Sequence, residues 1–238
     1  MYKSTTEQHY AAYRPPLHKT ILKQIFTSPA DRHRGLDIGC GTGLSCQALS
    51  HYCKHVIGID PSLAMLSEVR MQQRISYLNA DGQRIPLCGN SIDVVTLAGS
   101  LNYLDQKLLI AELTRVCRPG AELAIYDFEI DLSQFESRFT VDTSIDADSY
   151  NHRLNLSGFS AVEELCVMNT EVMLQAKADE VAHLLLSDDR WYDFFKERFS
   201  ARDLFESLKQ EIESMNSRFQ VKARVDYSLY LLPTGENQ

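Results

Sequence analysis

The sequence predicts an α/β fold, a doubly wound and mostly parallel sheet of seven strands with an antiparallel terminal strand. From residue 35, short apolar runs alternate with segments that can be helical, which is typical of the crossover units that build a parallel sheet. Residues 219–232 alternate apolar and polar side chains with a period of two, as a half-buried antiparallel strand does. Residues 160–174 form a further candidate strand. The five apolar runs are 35–38, 56–59, 76–80, 92–97 and 122–127.

An N-terminal helical segment is predicted ahead of the first strand. Apolar side chains recur near helical spacing from Tyr10 to Phe26, despite the interruption at Arg14-Pro15-Pro16. We expect this segment to pack on the body of the protein.

The clearest helix of the sequence is predicted from about Asp105 to Arg118. Its apolar side chains fall on one face, Asp105 can cap its start, and Pro119-Gly120 would stop it.

Beyond residue 128 the pattern changes. Residues 131–158 are polar and irregular, and a helical insertion at 178–218 precedes the last strand. Within this insertion, 178–187 and 201–215 are the candidate helices.

The composition is that of a soluble globular protein, and 238 residues suit a single domain, 1–238. The polar N-terminus carries no apolar signal segment, and no long apolar stretch follows, so we expect a cytoplasmic protein without a membrane partner. A net charge of -8 without a Lys/Arg cluster argues against a nucleic-acid partner. The six cysteines form no CxxC pair and no zinc spacing, so we expect reduced thiols and no metal.

A glycine-rich turn follows the first apolar run, in the stretch LDIGCGTG. Here Gly39, Gly41 and Gly43 permit positive φ angles and a close approach of the backbone to a ligand. The backbone N–H groups of such a turn favour a carboxylate or phosphate, and ligands of open α/β sheets bind beyond the carboxyl ends of the strands. Loops of this kind also occur without ligands, so the turn alone is a weak indication.

Acidic residues end the next two runs. Asp60 closes VIGIDPS and is placed to accept both hydroxyls of an adenosine ribose, or else it caps a helix beginning at Ser62. Asp81-Gly82 closes the third run, where the carboxylate could accept a hydrogen bond from an adenine amino group or simply form a turn. Three such signals at three successive strand ends favour one shared ligand.

With these motifs the sequence resembles the class I S-adenosylmethionine-dependent methyltransferases, which have a Rossmann-like fold, and in particular the type 11-like small-molecule group. LDIGCGTG resembles their first motif and GIDPS their acidic second one. NADGQRIPLCGNSIDVVTLAGSLNYL resembles the adenine segment and fourth strand, and RVCRPGAELAIYDFE the next helix and strand. A nicotinamide-binding domain would instead need G-x-G-x-x-G, and Leu44 stands where its third glycine belongs.

The resemblance implies S-adenosylmethionine as the cofactor and divides the chain into a cofactor-binding half, 31–130, and a substrate-side half, 131–238. The glycine loop would surround the methionine part of the cofactor, Asp37 would lie near its ammonium, and Ala98 below its sulfonium. The implied cofactor-binding residues are Asp37, Gly39, Cys40, Gly41, Gly43, Asp60, Pro61, Asp81, Gly82 and Ala98.

Residues near the N-terminus are the first candidates for the substrate side. HYAAYRPP resembles the Tyr-x-x-Tyr-Arg-Pro stretch of a subgroup that includes trans-aconitate methyltransferase-like proteins. The resemblance implies that 1–30 is a lid, in which Tyr10, Tyr13 and Arg14 cover the site and Arg14 clamps a carboxylate. The alternative is a packed helix with a surface arginine.

Further substrate candidates are Asn102, Tyr103 and Trp191, although aromatic residues at the spacing around Trp191 are more often core. After the fourth strand, LAGSLNYLD lacks the His-Trp pair that the subgroup often carries, which leaves the substrate open.

Other polar residues carry weaker signals. Asp142, Asp146 and Asp148 suit a hard cation but fit no ligand pattern, so a solvated loop is expected. His152 and His183 have no sequence neighbour that indicates a catalytic base, and a structural or exposed role is expected for both. No catalytic residue is therefore assigned.

The leading hypothesis is an enzyme, a monomer or homodimer, that transfers a methyl group to a small-molecule acceptor. The first alternative is a protein that binds S-adenosylmethionine or S-adenosylhomocysteine without catalysis. The second is a protein or RNA methyltransferase. It is disfavoured because the fourth strand ends in AGSLNY rather than in the Asp/Asn-Pro-Pro-aromatic motif of amino-group nucleic-acid methyltransferases.

Overall fold

A computed structural model of the chain describes residues 6, 8–9, 13, 15–26, 32–140, 150–199 and 202–233. Within these residues, seven strands form one sheet. In chain order they are β1 (Arg32–Ile38), β2 (Cys53–Asp60), β3 (Ile75–Asn79), β4 (Ile92–Ala98), β5 (Cys117–Asp131), β6 (Glu163–Lys177) and β7 (Arg218–Leu231).

The order of the strands across the sheet is β3-β2-β1-β4-β5-β7-β6. The first five of these pair in parallel, with Leu36 of β1 opposite Ile57 of β2 and Val95 of β4. β7 runs antiparallel to the rest. The fold class predicted from the sequence is confirmed. Strand order reverses between β1 and β4, and this reversal is the position where open α/β sheets bind ligands.

Helices connect the strands. They are α1 (Leu17–Ile25), α2 (Leu44–Leu49), α3 (Leu63–Ser67), α4 (Gln106–Val116), α5 (Ser133–Phe139), α6 (Ala178–Leu186), α7 (Asp189–Arg198) and α8 (Leu204–Met215). The predicted helices 178–187 and 201–215 correspond to α6 and α8 and are confirmed.

One predicted boundary and one predicted irregular region are wrong. α4 ends at Val116 and β5 begins at once, so Pro119-Gly120 lie inside the strand and do not stop the helix. The region predicted to be irregular contains the helix α5. Its Phe135 and Phe139 are buried among apolar residues, and this tertiary packing stabilises a helix that the polar local sequence does not predict.

The described chain divides into two compact units. The glycine-loop unit comprises the described residues of Pro16–Phe128, Tyr150–Thr170 and Val225–Gln238. Its core joins the central strands to α4 through fully buried side chains such as Leu36, Val95 and Leu113. Each such side chain contributes about 1.5–3 kcal/mol to the stability of the fold.

The helical unit comprises the described residues of Met1–Pro15, Glu129–Ser149 and Glu171–Arg224. Its core is rich in aromatic rings from α5 and α7, and Phe139 meets Phe195 edge to face at 4.9 Å between ring centroids. The sequence-based division into the halves 31–130 and 131–238 remains a prediction.

Candidate active site

The turn after β1 is built from three glycines in the left-handed backbone region. Their φ angles are +71° at Gly39, +52° at Gly41 and +86° at Gly43, in agreement with the positive φ that the sequence predicted. A Cβ on Gly39 would lie 2.4 Å from Cβ of Ser100, and one on Gly43 would lie 2.4 Å from Oη of Tyr77. A Cβ on Gly41 would meet nothing within 4 Å. The turn is therefore closed against the protein on two sides and open at Gly41.

Asp60 joins the carboxyl end of β2 to this turn. Its Oδ2 accepts a hydrogen bond from the Gly41 amide and its Oδ1 one from the Ser62 amide, both at 2.8 Å. The cap of α3 is Ser62, whose hydroxyl accepts from the Met65 amide, so Asp60 is not the capping residue. A carboxylate offers about four acceptor positions, and these two bonds leave capacity for a diol.

Asp37 lies beneath the turn and is completely buried. Its Oδ1 accepts from the Thr96 hydroxyl at 2.6 Å, and its Oδ2 accepts from the hydroxyl of Ser45 and the thiol of Cys46. Burial raises the pKa of Asp37, while these hydrogen bonds oppose that rise. The geometry supports a role in positioning β1, β4 and α2, and the contact with a cofactor ammonium stays a prediction.

The remaining predicted cofactor residues lie at or near the same ends of the strands. Asp81 is exposed in a turn in which its Oδ1 accepts from the Gln83 amide at 2.9 Å. Gly82 is buried, and a Cβ there would lie 2.6 Å from Cγ2 of Ile38. Cys40 is buried within the turn.

Pro61 and Ala98 complete this set. The carbonyl of Pro61 accepts from Nδ2 of Asn79 at 2.9 Å. Ala98 ends β4 opposite Tyr126 of β5. Ser100, two residues later, donates from its hydroxyl to the carbonyl of Ile38 at 2.6 Å and so ties the end of β4 to the end of β1.

The predicted substrate residues fall in separate places. Tyr10 and Arg14 lie outside the described residues, so the lid remains a prediction. Tyr13 packs against the core of the helical unit, and burial, with help from Glu180 and Asp179, raises its pKa to about 12. Trp191 is 1% exposed and stacks on Phe195 in that core, which supports the core role that the sequence left open.

Asn102 and Tyr103 lie in a short turn after β4 in the glycine-loop unit. Nδ2 of Asn102 donates to the carbonyl of Asn151 at 3.0 Å, and Tyr103 is 73% exposed with its ring 6.1 Å from that of Tyr150. Asn102 and Tyr103 therefore both contact the segment that begins at Tyr150.

A cavity of about 460 Å³ lies in the glycine-loop unit, between β5, β6, β7 and the segment 152–155. Its wall includes Asp127 and His152, together with Asn155, Asn169 and Ser228. Sequence reasoning missed Asp127 and Tyr150 altogether and set His152 aside, because no local motif joins them.

Two absences are also observed. Among the residues that the structure describes, no three His, Cys, Asp or Glu side chains are grouped to hold a metal ion. The aspartates Asp142, Asp146 and Asp148 fall outside this part of the chain. No helix within the described ranges has the length and apolar character to cross a membrane.

Comparisons with known sequences match the region of the glycine turn. Residues 36–125 match a family model described as a methyltransferase domain. A probable S-adenosylmethionine-dependent methyltransferase of Saccharomyces cerevisiae is 30% identical over 133 residues, 52% of this chain and 46% of that protein. A demethylmenaquinone methyltransferase of Corynebacterium urealyticum is 32% identical over 111 residues, 46% of this chain and 47% of that protein. The chain thus spans about half the length of these relatives.

A solved structure extends the likeness over the fold. A protein of Anaeromyxobacter dehalogenans that carries a type II methyltransferase designation superposes with a TM-score of 0.65, over 93% of this chain and 99% of that one. At 21% identity this likeness shows the fold alone. The matched domain, the strand order with its antiparallel β7 and the glycine turn lead to the same conclusion. Residues 36–125 form a region like the methyltransferase domain, within a Rossmann-like fold.

Proposed function

We propose that this protein transfers a methyl group from S-adenosylmethionine to a small-molecule acceptor. The observation that carries the proposal is the convergence of the glycine turn, Asp60 and Ala98 at the carboxyl ends of β1, β2 and β4. The space open above Gly41 lets a ligand approach the backbone there.

The residues of this edge fit the cofactor. Asp60 keeps acceptor positions for the two ribose hydroxyls, and Asp81 is an exposed acceptor at the end of β3. When bound, S-adenosylmethionine supplies an electrophilic methyl group, so the protein has to hold and orient the partners and exclude water.

The cavity beside Asp127 supports an acceptor of small size. Its volume of about 460 Å³ is within the range of roughly 300–1,000 Å³ that is usual for small-molecule sites. Its wall combines apolar side chains with amides and two carboxylates, those of Asp127 and Asp226, which can orient a polar metabolite.

Cofactor binding is tested by calorimetry on Asp60→Ala, with Glu163→Ala, an exposed residue of β6, as the control. Loss of hydrogen bonds to a charged acceptor costs about 1.5–3 kcal/mol, so we expect S-adenosylmethionine to bind roughly 10- to 150-fold more weakly. Asp60→Asn keeps one acceptor oxygen and should fall between. If Asp60→Ala folds normally and binds with unchanged affinity, the ribose assignment is wrong.

Transfer is tested with S-adenosylmethionine labelled in its methyl group, incubated with cell extract that is then fractionated by size. Label in a small-molecule product that is separated from the donor, with less of it formed by Asp60→Ala than by the wild type, supports the proposal. Label confined to macromolecules contradicts the small acceptor, and tight cofactor binding without any transfer would mean a non-catalytic binding protein.

A further inference from the structure

We infer that the cavity binds a positively charged group of the acceptor between Asp127 and Asp226, so that the acceptor is a small cationic amine. This inference rests on the proposed function and deepens it, because it names the chemical class of the acceptor, whichever of its atoms is methylated. It begins from the positions of the two aspartates on neighbouring strands, β5 and β7.

The register of β5 and β7 places the two carboxylates on one face of the sheet. The amide of Gly120 donates to the carbonyl of Leu232 at 2.8 Å, and the amide of Leu232 donates to the carbonyl of Ala121 at 2.9 Å. Leu232 is therefore opposite Ala121. Counting six residues along each antiparallel strand from this pair brings Asp226 opposite Asp127. Opposite side chains point to the same face, with Cβ atoms about 4.5–5.5 Å apart, and both aspartates line the cavity.

Opposite pairs farther along the same strands, in the helical unit, combine an acid with a base. Nζ of Lys222 lies 3.3 Å from Oδ2 of Asp131, and Nη1 of Arg224 lies 3.7 Å from Oε2 of Glu129. Both pairs keep the register counted from Leu232. At the cavity both opposite residues are acids, so the two strands supply no counter-charge at that position.

Each of the two carboxylates is held in place by its neighbours. Oδ1 of Asp127 accepts from the Phe128 amide at 2.7 Å, and its Oδ2 lies 2.8 Å from the hydroxyl of Tyr150. Oδ1 of Asp226 accepts from Nδ2 of Asn169 at 2.8 Å. A carboxylate has about four acceptor positions, so both residues keep capacity for a ligand.

Two basic residues also line the cavity. Nε of Arg153 lies 3.8 Å from Oδ1 of Asp226, but the Arg153 side chain is 79% exposed, and exposed ion pairs contribute little. Nδ1 of His152 lies 3.3 Å from Oδ2 of Asp127, and the ring adds a charge only when it is protonated. With a neutral imidazole, the wall carries two carboxylates and one guanidinium that is mostly in solvent, and its charge is negative.

Ser228 is a second, independent indication of a ligand. It follows Asp226 by two residues on the same face of β7, lines the cavity and is 1% exposed. Its Oγ is buried and has no hydrogen-bond partner among the residues that the structure describes. A buried hydroxyl without a partner costs free energy, so a polar ligand that reaches it is favoured.

The hydrogen-bonding groups of the wall favour a ligand that donates. Nδ2 of Asn169 already donates to Asp226, and Nδ2 of Asn155 donates to the carbonyl of Arg153 at 3.1 Å. The two carboxylates can only accept. An ammonium group offers three donors and a positive charge, whereas a neutral hydroxyl offers one donor, and a carboxylate or phosphate would be repelled.

The binding test uses n-butylammonium, n-butanol and butyrate, three probes that differ chiefly in the charge of one end group. Their binding to the protein loaded with S-adenosylhomocysteine is titrated by NMR at about pH 8, where free carboxylates are ionised and free imidazole is neutral. We expect butylammonium to bind, butanol to bind more weakly and butyrate not to bind. Asp226→Asn keeps an oxygen for Asn169 and loses the charge, so it should bind butylammonium about 10- to 150-fold more weakly. Glu163→Gln, at an exposed position of β6, is the matched control and should bind it like the wild type.

Three outcomes of this titration overturn the inference. They are butyrate binding as tight as that of butylammonium, no binding of butylammonium to the wild type, and unchanged affinity in folded Asp226→Asn. Ser228→Ala removes only the hydroxyl and should also bind butylammonium more weakly, without a lower midpoint of urea unfolding in the absence of ligand. If Asp226→Asn does not fold, unchanged affinity in Ser228→Ala overturns the inference. Binding of the probes needs no methyl transfer, so the proposed function stands in each case.

The product of transfer gives a separate readout. The labelled small-molecule product is separated from the donor, passed over cation and anion exchangers and analysed by mass spectrometry. We expect a nitrogen-containing product that the cation exchanger retains. A product that only the anion exchanger retains, or that neither retains, overturns the inference but not methyl transfer. Absence of any labelled product contradicts the proposed function, and the probe titration then decides the inference alone.

Discussion

At the scale of single residues, the glycines of the turn have different tasks although all three have positive φ. Gly39 faces Ser100 so closely that a side chain cannot fit, whereas Gly41 faces open space. Packing therefore requires glycine at position 39. At position 41, backbone conformation and the approach of a ligand are the reasons for glycine.

This difference predicts unequal effects on stability for two alanine substitutions. Both place alanine at positive φ, which costs on the order of 1–2 kcal/mol. Gly39→Ala adds the clash with Ser100 and should lower the free energy of unfolding by on the order of 1–3 kcal/mol more than Gly41→Ala. Gly41→Ala should instead chiefly weaken cofactor binding. Urea unfolding and calorimetry on both variants measure this, and equal stability losses would contradict it.

The sequence predicts some residues of the site and not others, for a physical reason. The backbone conformation of the turn depends on residue type, so the glycines announce it locally. Asp127 and His152 are 25 positions apart and come together only in the folded chain. Neither has a local motif, and the sequence could not show that their side chains meet.

At the scale of elements, α4 shows how a helix start is fixed by one side chain. Oδ1 of Asp105 accepts from the amides of Lys107 at 2.8 Å and Leu108 at 3.1 Å, as the sequence predicted. These amides have no partner within the helix, so the cap satisfies two donors that would otherwise depend on water.

Asp105→Ala should therefore lower the free energy of unfolding by about 1 kcal/mol, within a range of roughly 0.5–2 kcal/mol. Asp105→Asn keeps an acceptor oxygen and should remain close to the wild type. The midpoint of urea unfolding measures both, with an unchanged slope showing that only stability has moved. A loss in Asp105→Asn as large as in Asp105→Ala would mean that charge, and not the cap, is responsible.

The strands also differ in how well the sequence predicts them. β1, β2 and β4 are apolar runs because parallel strands are covered on both faces, and the prediction located each to within a few residues. β5 is longer than its predicted run because it begins at Cys117 and includes Arg118-Pro119-Gly120, a stretch that normally indicates a turn. Pairing there involves the residue that follows β7, since the amide of Gly120 donates to the carbonyl of Leu232 at 2.8 Å.

At the scale of the whole molecule, the order of the segments along the chain does not predict which segments form one compact unit. The described residues of Tyr150–Thr170 and Val225–Gln238 belong to the glycine-loop unit, although long stretches of sequence separate them from its first segment, Pro16–Phe128. Leu156, Val162 and Tyr230 belong to that unit's core. Such long-range packing leaves no periodic signal, so a sequence can indicate the strands without indicating which segments share a core.

The helical unit carries a pair of histidines that makes its stability depend on pH. Nδ1 of His9 lies 3.0 Å from Nδ1 of His183, so the pair needs one nitrogen with a proton and one without. Both rings pack on Phe205, and burial lowers the pKa of each, to about 4 for His9, while Asp179 opposes the shift at His183. A charged pair is therefore disfavoured in the folded state.

The sign of the dependence follows from linkage. In the unfolded chain His9 binds a proton below about pH 6.5, whereas in the folded protein it does so only below about pH 4. Between these values the unfolded state binds more protons, so the free energy of unfolding should fall as the pH falls. Asp131 affects stability at lower pH. Hydrogen bonds, first of all the one from the Ser133 hydroxyl, lower its pKa to about 2, so the stabilisation that it provides is lost only below about pH 4. Urea unfolding from pH 7.5 to 4 should show a shallower fall in His9→Gln than in the wild type. His51→Gln, at an exposed position of the other unit, serves as the control. If the free energy of unfolding of His9→Gln falls with pH as steeply as those of the wild type and His51→Gln, the buried pair is not the source of the pH dependence.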